Sequence, residues 1–301
     1  MSRKVSLLSV LGAFLFLYCA TFIVNLILGV GPNMVFKWLD AEPNIRVFAG
    51  STFSYGLRLV AYILFPVLAV RKIRGINPWP GFFPAPGKLW KNMLYAFLLV
   101  SLVLTALFVI EVNNGWLVVN GWNWQALPPD AWLRTAWTAF LVNLVVAVGE
   151  ETIFRGYLLT SLNAVIGRWP ALIAMMGIFG LFHLITYVES GLESATLALG
   201  ILLAALFGGL FGLVYLRTRS LWLPVVLHFT WNFMETDLLN LTGDLTNPNL
   251  VGALTRIQSP LSLNGVGWGN IVVLEGLVFA VIALAVLVWL RLERERNADN
   301  G

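Results

Sequence analysis

The chain alternates between long apolar stretches and short polar connections, and the stretches determine its architecture. Each stretch is long enough to cross the hydrocarbon core of a bilayer as a helix, which takes about 20 apolar residues. The pattern therefore predicts an all-α fold, a polytopic membrane helical bundle of about eight transmembrane helices. The predicted spans are residues 5–30, 52–70, 89–110, 136–166, 170–188, 195–216, 221–241 and 268–290.

The charges between the spans give the predicted bundle an orientation. With the N-terminus inside the cell, thirteen Lys and Arg residues fall on the cytoplasmic side. Only four, Lys37, Arg46, Arg134 and Arg256, fall on the opposite side. Cytoplasmic loops of membrane proteins carry an excess of Lys and Arg, so this asymmetry supports the orientation. An even number of spans then places both termini in the cytoplasm.

The composition agrees with a membrane protein and gives no indication of nucleic acid binding. Of the 301 residues, 59% are hydrophobic and 11% are charged, and the mean hydropathy is +0.83. A soluble domain needs far fewer apolar residues for its core. The net charge of +4 comes from basic residues in short loops, so it reflects topology and does not indicate nucleic acid binding. We expect a single integral membrane domain over residues 1–301, multi-pass, in the plasma membrane if the chain is bacterial, with the lipid bilayer as a partner.

Two connections on the outer side are predicted to be loops. The first contains Trp116, Trp122, Trp124 and Trp132, and indoles of this kind rest at the level of lipid headgroups. The second, residues 242–267, is polar and rich in Gly, Pro and Asn. It is the longest predicted outer loop.

One stretch is difficult to explain by packing alone. Residues 148–155, Val-Gly-Glu-Glu-Thr-Ile-Phe-Arg, set two adjacent carboxylates and an arginine inside the fourth span. A charge near the bilayer centre costs about 3 kcal/mol on insertion scales, so such residues are kept where they pair or act. Glu151 and Arg155 are four residues apart and share a helix face, in the order that favours an ion pair. Glu150 lies about 100° away around the helix and is available for another role.

Both histidines of the chain, His183 and His228, fall inside predicted spans. A single histidine in an apolar helix is usually a satisfied hydrogen-bonding group. Two of them in the membrane, beside a span with two glutamates, favour a functional role instead. Asn232 follows His228 by one helical turn, so an imidazole and a carboxamide project from one face. Phe179 precedes His183 by the same spacing.

A glutamate, two histidines and an asparagine can together bind and activate water. The carboxylate can accept a proton from water, an imidazole can orient the water or donate to a leaving amine, and the amide can stabilise a developing oxyanion. A carboxylate and two histidines, here Glu150, His183 and His228, are also a common zinc-binding set with an open position for water. The residues alone leave both alternatives open.

Three spaced motifs carry a family resemblance: Glu-Glu-x-x-x-Arg at 150–155, Phe-x-x-x-His at 179–183 and His-x-x-x-Asn at 228–232. They resemble the ordered motifs of the CPBP family, the CAAX proteases and bacteriocin-processing enzymes, also called the Abi family. This family includes the Ras-converting CAAX endoprotease. The resemblance covers residues 136–241, which we take as the predicted catalytic core.

The resemblance implies roles for the individual residues. Glu150 would activate water together with His183, while His228 and Asn232 would support the oxyanion or a metal. Glu151 and Arg155 would brace this site, with Phe179 as a further supporting residue. The family also implies that hydrolysis takes place near the cytoplasmic surface of the membrane.

Two functions are compatible with these residues. The first, favoured by the complete set of motifs, is an intramembrane endopeptidase for membrane-tethered substrates such as a prenylated CAAX tail or a leader peptide. It would be either a glutamate-dependent enzyme or a metalloprotease. The alternative is a non-proteolytic member of the same family, a bacteriocin self-immunity protein or membrane scaffold that uses the same polar cluster for binding.

The depths of the site residues add a structural expectation. His228 lies about 10 Å from the cytoplasmic end of its span, whereas Glu150 lies about 25 Å from the corresponding end of its own span. We expect the fourth and fifth helices to extend beyond the bilayer, which would bring the two residues to one level. The site is then predicted to lie in a water-filled cavity open to the cytoplasm.

Overall fold

The computed structural model describes residues 5–38, 43–85, 87, 89–189 and 194–257, together with 282, 283, 286, 288 and 291. Within these residues it is a bundle of helices with a small two-stranded sheet at one end. Six helical segments are long enough and apolar enough to cross a membrane, which confirms an all-α, multi-pass integral membrane protein. They are Leu7–Gly29, Phe48–Arg74, Leu89–Asn113, Pro129–Ile166, Arg168–Glu189 and Leu197–Thr218.

The elements follow one another with short connections. The helices are α1 Leu7–Trp38, α2 Pro43–Arg74, α3 Trp79–Phe82, α4 Leu89–Asn113, α5 Asn123–Ala126, α6 Pro129–Glu150, α7 Thr160–Ile166, α8 Arg168–Phe182, α9 Leu184–Glu189, α10 Ser194–Thr218 and α11 Trp222–Asn232. Two π-helical segments, Glu151–Leu159 and Phe233–Leu238, continue α6 and α11. The strands are β1 Leu117–Trp122 and β2 Ala253–Ile257.

The last two predicted spans have different outcomes. The helix formed by α11 and the π segment Phe233–Leu238 corresponds to the predicted span 221–241. The eighth span, 268–290, lies outside the described residues except for a few positions. Of these, Ile282 and Val286 are helical and buried in an apolar cluster with Val100 and Leu104 of α4. The number of spans and the location of the termini stay predictions.

The two connections predicted to be outer loops contain strands that the sequence analysis did not predict. β1 and β2 pair antiparallel, with Leu117 opposite Ile257 and Trp122 opposite Ala253. Each strand contains two β-branched residues, which favour extended structure, yet neither strand is stable alone. The pairing joins the tryptophan-rich connection to residues far along the chain, and no local pattern specifies it.

One long helical segment carries the central motif. α6, the π segment Glu151–Leu159 and α7 run on without a break from Pro129 to Ile166. Around its middle it is buried on every side, and Phe154, Tyr157, Leu158 and Leu159 belong to the main apolar cluster. The segment is therefore fixed by neighbours all round, as a site that must hold a defined geometry requires.

Candidate active site

A buried ion pair lies at the centre of the candidate site. The Arg155 Nη1 atom lies 2.8 Å from Glu151 Oε1, and both side chains are fully buried. The guanidinium also donates to the Gly208 carbonyl at 3.2 Å, and its carbon atom lies 4.4 Å from the centre of the Phe179 ring. These contacts confirm that Glu151 and Arg155 share a face. We call the ion pair the brace, because it connects the π segment to α8 and α10.

Phe179 has two roles that its position in the motif does not reveal. Its ring covers Arg155, and its main-chain carbonyl lies 2.9 Å from Nδ1 of His183. A carbonyl oxygen can only accept, so Nδ1 carries the hydrogen and donates it. The Nε2 atom of His183 is then free to face the site. One residue therefore connects the buried brace to the first histidine.

His228 is oriented in the same way by the other end of the ion pair. Its Nδ1 atom donates to Glu151 Oε1 at 3.0 Å, while its ring stacks on Phe211 with centres 5.7 Å apart. The Nε2 atom again points away from the brace. Because Arg155 and His228 bind the same carboxylate oxygen, Glu151 connects the buried arginine to the second histidine.

Glu150 faces both histidines. Its Oε2 atom lies 4.0 Å from His183 Nε2 and 3.9 Å from His228 Nε2. These distances are too long for direct hydrogen bonds but suit one bridging water, because each bond to water spans about 2.8 Å. Oε2 is buried and has no hydrogen-bond partner within the described residues. Because this oxygen also faces two Nε2 atoms across a cavity, the geometry favours a ligand between the three groups.

Glu150 and His228 lie at one level along the bundle. A Cβ atom on Gly156 would lie 2.7 Å from the tip of the Phe82 ring, and the amide of Leu221 donates to the Phe82 carbonyl at 2.9 Å. Gly156 and Leu221 are therefore neighbours of the same residue. Glu150 and His228 each lie about 10 Å from this common level. Beyond the level of Phe82 the helical segment continues to Ile166, so Glu150 lies farther from the end of its segment than His228 lies from the start of its own.

A cavity of about 480 Å³ joins these residues. Its walls include all four residues predicted to be catalytic, Glu150, His183, His228 and Asn232, as well as Phe179. Glu150 and His183 are about one fifth exposed at the side chain, and His228 is 8% exposed. The structure thus brings together the whole predicted set around one space.

Sequence reasoning missed several residues that shape this space. Phe211 and Gly208 contact Arg155 but lie in an apolar helix, where the sequence does not distinguish them from residues that only fill space. Asp237 binds Asn143 at 2.5 Å and Asn247 at 2.7 Å, which connects the π segment Phe233–Leu238 to α6 and to the following loop. A buried aspartate five residues after Asn232 was the one signal that could have indicated this network.

The arrangement of Glu150, His183 and His228 can be compared with the geometry that a zinc ion requires. A carboxylate and two imidazoles, each held at Nδ1 by a second partner, suit zinc chemically. At bonds of about 2.0–2.1 Å, however, tetrahedral ligand atoms lie about 3.3 Å apart. The two measured separations from Glu150 are longer, and no three His, Cys, Asp or Glu side chains of the described residues lie close enough to share a metal. As placed, the residues do not fit the ion, and zinc binding by Glu150, His183 and His228 stays a prediction.

Comparison with known proteins agrees with the motifs. Residues 132–234 match the family model described as type II CAAX prenyl endopeptidase Rce1-like. No curated protein and no solved structure matches the chain. The matched segment contains all three motifs, from Glu150 to Asn232, and confirms the resemblance to the CPBP family of CAAX proteases.

Proposed function

We propose that this chain, as a CPBP-type protein, is an intramembrane endopeptidase that cleaves membrane-tethered peptides with water activated by Glu150 and the two histidines. The observation that carries the proposal is the position of Glu150. Its Oε2 atom lies 3.9–4.0 Å from the Nε2 atoms of His183 and His228 and has no hydrogen-bond partner within the described residues. Each imidazole is held in its orientation by a hydrogen bond at Nδ1. A protein that used the cluster only for binding would not need both Nε2 atoms directed at one carboxylate.

The first step is attack by water on the scissile carbonyl. A water between Glu150 and His183 gives one proton to the Glu150 carboxylate as its oxygen bonds to the carbonyl carbon. His183 Nε2 accepts a hydrogen bond from the same water, because Nδ1 already donates to the Phe179 carbonyl. The water is thereby held at two points, and its lone pair is directed at the substrate.

The negative charge then develops on the former carbonyl oxygen. Asn232 can donate its amide hydrogens to this oxygen, and His228 can donate from Nε2 in its protonated form. Glu151 keeps His228 in place through Nδ1 and does not itself touch the substrate. When the carbon–nitrogen bond breaks, Glu150 returns its proton to the leaving amine, so the carboxylate is regenerated.

The proposed substrate is a peptide segment held close to the membrane by a lipid group or by its own span. The cavity walls combine the polar residues of the site with aromatic and aliphatic side chains such as Phe207 and Leu203. Such walls suit an extended peptide with apolar side chains. A prenylated CAAX-type tail and a leader peptide both meet this description.

The experiment uses the purified full-length chain in detergent with a prenylated, CAAX-ended fluorogenic peptide. We expect wild-type protein to cleave it and Glu150→Gln to lose about 10²- to 10⁴-fold in rate, the usual contribution of a general base. The matched control is Glu111→Gln, which removes a buried carboxylate on α4 outside the cavity and should keep its activity.

Two outcomes would overturn the proposal. Wild-type turnover by Glu150→Gln would exclude this glutamate as the base. Binding of peptides by wild-type and Glu150→Gln protein alike, with no cleavage of CAAX-ended or leader-type peptides by either, would favour the immunity or scaffold alternative.

A further inference from the structure

The second span contains an intramembrane cation that the proposed mechanism does not use. Arg58 lies near the middle of the segment Phe48–Arg74, where a charge is costly unless it pairs or acts. Its Nη2 atom donates to the main-chain carbonyl of Asn25 at 3.3 Å, and its guanidinium carbon lies 5.0 Å from the centre of the Tyr55 ring. Its Nε atom is buried and has no hydrogen-bond partner among the described residues.

Another arginine inside a span shows what Arg58 lacks. Arg155 is paired with the Glu151 carboxylate at 2.8 Å, whereas no carboxylate pairs with Arg58 in the part of the chain that the structure describes. A main-chain carbonyl and an aromatic ring leave the positive charge uncompensated. The planar guanidinium group binds carboxylates with two parallel hydrogen bonds, so a carboxylate from a ligand would supply the missing partner.

A second cavity connects the surroundings of this arginine to the candidate site. It has a volume of about 270 Å³, lies among α1, α2, the long helical segment and the end of α8, and shares Glu150 with the larger cavity. Asn25 and Tyr62 line it on the side of Arg58, and the Asn25 amide donates to the Tyr62 hydroxyl oxygen at 2.5 Å. The hydroxyl hydrogen of Tyr62 is then left to donate into the cavity.

The distance from Arg58 to the candidate site suits a short peptide end. A Cβ atom on Gly149 would overlap the Tyr62 ring, so Tyr62 lies beside the residue that precedes Glu150. Arg58 comes four residues before Tyr62 and therefore lies about 6 Å farther along α2. An extended peptide advances about 3.3 Å per residue, so about two or three residues after a bond held at Glu150 would bring a chain end to the guanidinium.

We propose that Arg58 binds the C-terminal carboxylate of the substrate, assisted by the Tyr62 hydroxyl group, and thereby positions the scissile bond at Glu150. This inference rests on the proposed protease function and makes its specificity narrower. The substrate ends in a free carboxylate about two or three residues after the cleaved bond. A leader peptide that is cleaved in the interior of a longer chain does not present such a group.

The test compares two versions of the prenylated reporter peptide, one with a free C-terminal carboxylate and one with a carboxamide. Wild-type protein should cleave the carboxylate form with a kcat/KM about 10- to 100-fold higher, because the amide loses a charge-assisted pair with arginine. Arg58→Gln should abolish this preference by slowing cleavage of the carboxylate form to that of the amide form. The ratio compares two peptides on one protein, so it does not depend on how much of the variant is folded.

Arg71→Gln is the matched control, because it removes an exposed arginine of the same helix outside both cavities. It should keep the wild-type preference. Equal cleavage of the two peptides by wild-type protein would overturn the inference, and so would a preference that survives Arg58→Gln.

A binding measurement separates this inference from the proposed function. Fluorescence anisotropy with Glu150→Gln and with Glu150→Gln/Arg58→Gln protein needs no turnover. The carboxylate form should bind more tightly than the amide form to the first protein and equally to the second. If wild-type protein cleaves neither peptide, the proposed function fails, and this binding difference alone decides whether Arg58 recognises a carboxylate.

Discussion

Two adjacent glutamates occupy contrasting regions of this molecule. Glu151 belongs to the brace, where it is fully buried and its Oε1 atom binds both Arg155 and His228. Glu150 belongs to the cavity wall, is about one fifth exposed, and has an Oε2 atom 3.9–4.0 Å from the Nε2 atoms of both histidines. The chain thus uses one carboxylate to fix geometry and presents the next one to a ligand.

The contrast explains why the two carboxylates are consecutive. Neighbouring residues of a helix point about 100° apart, so one can face the protein interior while the other faces a cavity. Here the α-helix ends at Glu150 and the π segment begins at Glu151. π-Helical turns are rare and are frequently found at functional sites. The local geometry thus lets Glu151 hold Arg155 and His228 while the adjacent Glu150 faces the cavity.

The largest expected effect on stability concerns the brace. Glu151→Gln or Arg155→Gln leaves the other charge buried without its partner, which typically costs about 3–5 kcal/mol. The double variant should lose less folded protein than the sum of the two single variants, measured by thermal unfolding in detergent. The Asp130–Arg134 pair on the same helix is the control, because it has the same spacing and the same 2.8 Å distance but is exposed. Asp130→Asn should have little effect, and simple additivity at Glu151 and Arg155 would contradict the brace.

A smaller effect is expected from the oxyanion donor in the cavity wall. Asn232→Ala should lower kcat by about 10²- to 10³-fold, as removal of one such donor does in other hydrolases. KM should change little, because the hydrogen bond strengthens only as charge develops. Asn114→Ala, at an exposed asparagine just after α4, controls for the substitution itself. A loss in KM alone would mean that Asn232 binds substrate and does not stabilise the oxyanion.

The smallest effect is expected from metal chelation. The separations from Glu150 to both histidines exceed the ligand spacing of a tetrahedral zinc site. We therefore expect cleavage of the prenylated reporter peptide to continue after dialysis against a strong chelator. Loss of activity that is restored by added zinc, together with one bound zinc per chain by elemental analysis, would show that the three groups move together around an ion.

The sequence predicted most of the site because its signals were local. The i, i+4 spacing of Glu151 and Arg155 predicted their ion pair, and the motif spacings predicted that His183, His228 and Asn232 would converge with Glu150. Membrane burial made each of these polar residues conspicuous.

Other features leave no signal in the local pattern of side chains. The Phe179 carbonyl that orients His183 belongs to the main chain, so no side-chain pattern indicates it. The pairing of β1 with β2 joins residues more than a hundred positions apart.

The most direct test of the account compares Glu150→Gln, His183→Gln and the double variant in one kinetic series with the same reporter peptide. His183 makes no contact with the Glu151–Arg155 pair among the interactions described, so its replacement should leave the brace intact. If Glu150 and His183 hold one water between them, either change removes the activated nucleophile, and the double variant should be no slower than the slower single variant. Losses that multiply in the double variant would contradict a shared water and with it the central role of Glu150.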